Sequence, residues 1–240
     1  AGITSPLLMR QVPLPKRSTK VIAGKTLNEL AKAISAQKDS KKDYIADTRK
    51  PTFGVSQTRL ELGLEGIGFF QPTELFHDQV GNKLGIPSKY YNRMLADAPD
   101  LLATNVNRWF DQNPEKRLVR TIDGKARAFL SDRYRPMDYD EMLEAVVPAL
   151  AEIPEVEIRS CEITERRVYI HAISKAIEIP MSPKVGDRLR AGVIIGNSEV
   201  GCGSLFIKPM VEFLICTNGM VMDDGAFRKA HLGRVQGDGG

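Results

Sequence analysis

The chain has 240 residues, 42% hydrophobic and 27% charged, a balance that excludes a disordered or fibrous protein and leaves room for one large domain or two small ones. No apolar run approaches the roughly 20 residues needed to cross a bilayer, so a soluble protein is expected. The formal charge of +4 is uneven, with 12 Lys and Arg against 4 Asp and Glu in residues 1–60 and 22 against 26 beyond, and the amino-terminal part reads either as a basic arm able to meet an acidic polymer or as a solvated tail.

Residues 1–24 combine Pro6, Pro13 and Pro15 with Arg10, Lys16, Arg17 and Lys20 and show no periodicity, which suits an extended strap. Leu27, Leu30, Ala31 and Ile34 share one face of a predicted amphipathic helix over 26–37. Residues 38–50 are dense in charge and read as a loop, leading to a strand predicted over 52–64. Three helices follow, starting at Pro72-Thr73-Glu74, at Ser88 and at Pro99-Asp100, with Tyr90, Tyr91 and Trp109 weighed as packing residues ahead of base-stacking ones.

Residues 117–131 form the clearest hairpin, because Asp123-Gly124 is the dipeptide that a two-residue type I′ turn demands. Arg117, Arg120, Lys125, Arg127, Arg133 and Arg135 crowd it and its exit, opposed in that window only by Asp123 and Asp132. Such a strand pair can track a phosphate backbone, although lysine and arginine also protect exposed strand edges. A helix is predicted over 138–153, where Asp138 and Glu141 have capping-box spacing and Pro148 introduces a kink. A second hairpin turns at Thr164-Glu165-Arg166, and a third joins 188–195 to 204–217 through GNSEVGCG. Pro209 inside the last strand predicts an edge, a bulge or a bend. FRKAHLGR, 227–234, reads as a short basic helix or tail.

The resulting fold class is α+β: a curved antiparallel sheet of β-hairpins with packed helices, preceded by a small helical region. The corresponding division is a basic arm with a short helix over 1–50, a strand and helical region over 51–116, and a hairpin-helix-hairpin-hairpin core over 117–240.

Catalytic signals are weak. Neither G-x-G-x-x-G nor G-x-x-x-x-G-K-[ST] occurs, so a phosphate cradle at a helix N-terminus is not expected. Cys161, Cys202 and Cys216 lack C-x-x-C spacing, and His77, His171 and His231 lie far apart; reduced thiols, no metal and no cofactor are expected. Cys216 with His231 nearby in sequence is conceivable as a thiol nucleophile, but a cysteine ending an apolar strand is shielded and usually inert. Glu155, Glu157, Glu162 and Glu165 read as a solvated surface of a hairpin, whose alternation points them to both faces. Asn197, Ser198 and Glu199, and Asn218 within Thr217-Asn218-Gly219-Met220, read as polar structural turns or as subunit contacts.

The runs LGIPSKYYNRM (84–94), NVNRWF (105–110), RLVRTIDGKARAFLSDRYRPMD (117–138), AGVIIGNSEVGCGSLFIKP (191–209), CTNGM (216–220) and HLGR (231–234) resemble the phage- and plasmid-borne family catalogued as domain of unknown function 932. The resemblance spans residues 42–234 and implies a mobile element in a bacterial cytoplasm, with no established activity. The order of hairpins and helices is also similar to the core of Rad52-like single-strand annealing proteins, which form rings or filaments and bind DNA along a basic groove.

The expected function is therefore ATP-independent binding and annealing of single-stranded DNA by a homo-oligomer with no catalytic residues. Arg117, Arg120, Lys125, Arg127, Arg133 and Arg135 would contact phosphates, Tyr134 would stack or brace the loop, and Lys208, Arg228 and Lys229 would extend the groove. An assembly module of a mobile element, and a metal-dependent nuclease whose carboxylates converge in space, are the alternatives.

Overall fold

The computed structural model describes residues 22–24, 26–50, 52–57, 59–180, 188–213, 220–221 and 227–229. In chain order the first half holds β1 (Ile22–Gly24), α1 (Leu27–Lys38), β2 (Lys42–Asp47), β3 (Thr52–Ser56), β4 (Arg59–Leu64), β5 (Gly68–Pro72), α2 (Glu74–Leu84), α3 (Ser88–Asp97) and α4 (Pro99–Gln112). The second half holds β6 (Lys116–Ile122), β7 (Lys125–Ser131), α5 (Tyr139–Ala151), β8 (Val156–Ile163), β9 (Val168–Pro180), β10 (Arg188–Asn197), β11 (Leu205–Phe213), β12 (Met220–Val221) and β13 (Phe227–Lys229). The fold is α+β with two sheets and no closed barrel.

The first sheet has the order β1-β8-β9-β10-β11-β12, with β13 also on β11, and every pairing is antiparallel. One face is covered by α1 and α5. Thr26 and Glu29 close a capping box at the start of α1, which fixes the helix so that Leu30 and Ile34 meet Tyr139, Met142, Val146 and Leu150 of α5 over Ile163, Val168, Ile170 and Ile195. Bulges at Ile158/Ser160 and Arg190/Gly192 interrupt the ladders and add twist. Arg159 on β8 reaches Glu212 on β11 at 2.6 Å, although β9 and β10 lie between them in the sheet. Contact across two intervening strands requires the sheet to curl toward the side free of described helices.

The second sheet has the order β2-β6-β7-β5-β4-β3, antiparallel except where Gln71 and Pro72 of β5 run parallel to Lys125 and Ala126 of β7. Helices α2 to α4 pack on it through Phe76, Val80, Leu102, Val106 and Phe110, against Phe53, Leu62, Val119 and Phe129. Asn107 ties α4 to the edge strand β3 by exchanging hydrogen bonds of 2.9 Å with both the Phe53 backbone N–H and its carbonyl.

The Asp123-Gly124 turn has φ of +48° and +71°, the pair of left-handed conformations a type I′ turn requires. Three local expectations need correction, and one strand, β5, was not expected. Residues 42–47 are a strand, not part of a loop; β2 has a partner on one side only and little burial, so no apolar alternation marks it. The single strand expected over 52–64 is a hairpin turning at Gln57, a non-glycine residue with φ of +47°. Strand β5 has no forerunner in the sequence reading. Phe227–Lys229 is a strand on the outer side of β11 and not a helix, a pairing set by the neighbouring edge because three residues carry no period of their own.

The amino-terminal part also differs from an appended arm, since β1 and α1 join the first sheet and β2 the second. The hairpin of 117–131 belongs to the second sheet, with residues 42–72, rather than to the sheet of 156–213. Pro209 pairs with Val193 on β10, while on the outer side β13 covers 205–207 and β12 covers 210–211. The proline thus sits in the gap between two short partners, where a missing donor is tolerated. Residues 1–21, Cys216, Asn218 and His231 lie outside the described residues.

Candidate functional site

The polar triplet Asn197-Ser198-Glu199 leaves the end of β10 and enters the junction between the two sheets, where all three residues are fully buried. Asn197 Nδ2 donates to the Met137 carbonyl at 2.8 Å and Ser198 Oγ to the Arg166 carbonyl at 2.7 Å. Tyr134 OH donates to the Ser198 carbonyl at 3.2 Å. Glu199 is the centre of the junction. Its Oε2 accepts from Lys41 Nζ at 2.9 Å and from the backbone N–H of Tyr139, the first residue of α5, at 3.1 Å. A carboxylate there meets the positive end of the helix dipole. Arg127 Nη2 lies 2.7 Å from Glu199 Oε1, out of line for a hydrogen bond, and Arg127 Nε has no acceptor.

Beside this pair, Arg120 donates to Asp43 at 2.8 Å, to Asp138 at 2.7 Å and to the Glu199 carbonyl at 2.6 Å. The cations Lys41 and Arg127 hold the Glu199 carboxyl below its ordinary range against the opposing effect of burial. The two carboxylates around Arg120 likewise raise its pKa although desolvation works the other way. Gly201, at φ +79°, permits the chain to leave this junction, and a Cβ there would stand 2.5 Å from Leu130.

This geometry divides the basic residues singled out from the sequence. Arg120 is 2% exposed and triply bonded, so it is a structural cation and not a phosphate contact in this conformation. Arg127 is mostly buried against Glu199, and Arg117 pairs with Glu115 at 3.0 Å and lies over the Phe129 ring. Lys125, Arg133 and Arg135 are exposed. Tyr134 is a brace through Ser198 rather than an open stacking surface, and burial raises its hydroxyl pKa. Asn197, Ser198 and Glu199 are buried within the chain, which is the structural reading and leaves them no outward face for a subunit contact.

The face of the first sheet opposite α1 and α5 carries the second feature. By register, Tyr169 of β9, Gly196 of β10, Phe206 of β11 and Arg228 of β13 lie side by side across four strands, and Lys208 follows Phe206 on the same face. The Tyr169 and Phe206 rings meet edge-on with centroids 6.3 Å apart, and Lys208 Nζ stands 5.9 Å from the Phe206 centroid. Gly196 is required beneath them, since a Cβ would come within 2.5 Å of the Phe206 ring. Both rings are half-buried, so part of each is presented to solvent. At the other end of the face, Arg159 bridges Glu157 and Glu212 and Lys175 pairs with Glu157, so those charges are mutually neutralised. Lys229 pairs with Leu205 in the ladder.

Of the other aromatic candidates, Tyr91 is core, its OH 2.9 Å from His77 Nδ1, whereas Trp109 is 48% exposed and Tyr90 is 50% exposed. Packing therefore accounts for Tyr91 but not for the outward parts of the other two. Burial pushes the Cys161 thiol up to about 11 and raises that of Cys202, so neither is poised as a nucleophile. Among the described residues, no three His, Cys, Asp or Glu side chains converge in a way that could hold a metal ion. The sequence reading gave neither Tyr169 nor Phe206 a stacking role; the signal available was an aromatic near the start of each of two strands flanking β10, with Lys208 two residues beyond Phe206.

No family model matches the chain, and no curated protein or solved structure matches it.

Proposed function

We propose that the protein binds single-stranded DNA and promotes annealing of complementary strands, with bases resting on the concave, helix-free face of the first sheet. The observation that carries this reading is the Tyr169–Phe206 pair beside Lys208, with Arg228 adjacent by register. Aromatic faces accept any base, and neighbouring cations hold the phosphates. Lys125, Arg133 and Arg135 remain as exposed cations for a longer path, while Arg117, Arg120 and Arg127 are engaged by partners within the chain. Partial immersion of the rings restricts stacking to their outward parts, which favours a strand lying across the sheet over bases inserted into it.

The test is binding of a fluorescent oligonucleotide over a range of salt concentration, together with annealing of two complementary strands. Affinity is expected to fall steeply with salt, and Phe206→Leu with Lys208→Gln is expected to weaken binding at least tenfold, since stacking contributes about 1–3 kcal/mol per base. Salt-independent binding, or an unaffected double variant of intact fold, overturns the reading.

A second reading, an assembly module, is favoured by one separate observation. Ile45 on the edge strand β2 and Ile67 are both about half exposed and line one depression with Tyr44 and Leu64. Ile45→Lys is expected to reduce oligomer mass in light scattering if β2 mediates assembly; an unchanged mass removes this reading.

A further inference from the structure

A cleft of about 250 Å³ opens between the β6–β7 turn and the β8–β9 turn, on a different part of the molecule from the Tyr169–Phe206 face. Its lining includes Gln37, Lys125, Arg127 and Tyr139, with Asp123 and Glu165 at its rim. The floor and the rim differ in chemistry. Asp123 and Glu165 are exposed turn residues whose charges are well solvated. Arg127 is mostly removed from water, and the single Glu199 carboxylate that faces it is shared with Lys41 at 2.9 Å. Two cations therefore draw on one buried anion, while both carboxylates of Asp43 and Asp138 are engaged by Arg120. The Arg127 Nε and Nη2 donors are closed off from solvent and lack an aligned acceptor. A buried guanidinium in that condition is costly unless another acceptor can complete it, and Lys125 adds a further cation at the entrance.

We infer that this cleft binds a small phosphate monoester bearing hydroxyl or amino groups, of which a nucleoside monophosphate is the representative. The phosphate meets Lys125 at the entrance and Arg127 within, whose guanidinium keeps its Nε–Nη2 edge free of hydrogen bonds, a planar fork suited to bidentate contact with phosphate oxygens. The ligand's own donors meet the rim carboxylates Asp123 and Glu165. The volume lies below the roughly 300–1,000 Å³ of drug-sized ligand sites, which restricts the ligand to a single nucleotide unit. That unit is either free or the phosphorylated end of a strand. The inference shares Lys125 with the outer DNA path but none of the residues of the Tyr169–Phe206 face, and it does not depend on the annealing reading.

The experiment is isothermal titration of the intact chain with thymidine 5′-monophosphate and with thymidine, and then with a short oligonucleotide carrying or lacking a 5′-phosphate. The monophosphate is expected to bind saturably and thymidine not to. Lys125→Glu, a change at an exposed position, is expected to weaken the monophosphate about tenfold or more, the effect of losing one charge-assisted contact. Arg127→Lys should weaken it as well while a thermal melt reports an intact fold, and Glu165→Gln should leave the phosphate requirement in place. Tighter binding of the free nucleotide than of the phosphorylated strand assigns the site to free nucleotides, and preference for the phosphorylated strand over both the free nucleotide and the unphosphorylated strand assigns it to strand ends. Absence of saturable monophosphate binding, or binding indifferent to both Lys125→Glu and Arg127→Lys, overturns the inference.

Discussion

Glu199 shows what one buried carboxylate does when several distant segments need it. It receives Lys41 and the start of α5 at one oxygen and faces Arg127 at the other, at 0% exposure. Glu199→Gln keeps the size but leaves Lys41 and Arg127 without a counter-charge, and breaking a buried pair on one side costs about 3–5 kcal/mol; a loss of that order in urea unfolding is expected. Because its native pKa is lowered, the contribution is fully present above the ordinary glutamate range and is lost as pH falls through that range toward the lower native value. His77 acts at higher pH. Burial lowers its pKa to about 4, so the unfolded chain takes up a proton before the native one does. Stability should decline as pH falls from about 6.5 toward 4, by on the order of 3 kcal/mol. Replacing His77 with Gln, which can still bond Tyr91, should flatten that part of a urea-midpoint against pH curve. The sequence displayed Glu199 only as a member of a polar turn cluster. Its partners at 41, 120, 127 and 139 are scattered, and nothing local distinguishes a glutamate about to be buried from one facing water. The available clue was its bracketing between the apolar run Val193–Ile195 and Val200, which is also buried.

Among the elements, the most legible were those whose signals are local. Asp123-Gly124 dictated its turn, and the capping residues and stripes of α1 and α5 dictated those helices. Strands β2, β5 and β13 were hidden for the opposite reason: each is defined by the partner it pairs with, and their side chains have no alternation to display. The same distinction explains the basic hairpin. A row of arginines on a strand looks alike whether it faces solvent or a buried carboxylate, and here the alternation was read without knowing what lay opposite. The β10–β11 connection illustrates a position fixed by space and dihedral together. Gly201→Ala places a Cβ in a left-handed residue and against Leu130, and a loss of about 1–3 kcal/mol in a thermal or chemical melt is expected.

At the scale of the whole molecule, the two sheets have separate apolar cores joined by a polar junction around Arg120 and Glu199 and by the smaller cluster of Leu75, Leu118, Leu130 and Val200. Trp109, the sole tryptophan, reports on the helical side of the second sheet. In the unaltered chain its fluorescence and the far-ultraviolet circular dichroism should give one coincident unfolding transition. Arg120→Ala strands two acids and releases the Glu199 carbonyl, and the two signals are then expected to separate. Coincident curves in that variant would mean that apolar contacts alone unite the halves.

The Lys41–Glu199 contact joins residues 158 positions apart, and that separation has a meaning in time. During synthesis, α1 and β2 emerge long before the carboxylate that Lys41 needs, and β2 must also wait for β6, so this segment is made well ahead of its native partners. Closing such distant contacts is slow, and non-local sheets of this kind characteristically fold in milliseconds to seconds. The junction is thus completed only after residue 199 has been made; before β6 emerges the edge of β2 is unpaired, and before α5 emerges the apolar stripe of α1 is open to other chains, a period in which helper proteins or a low synthesis rate would decide the yield of folded protein.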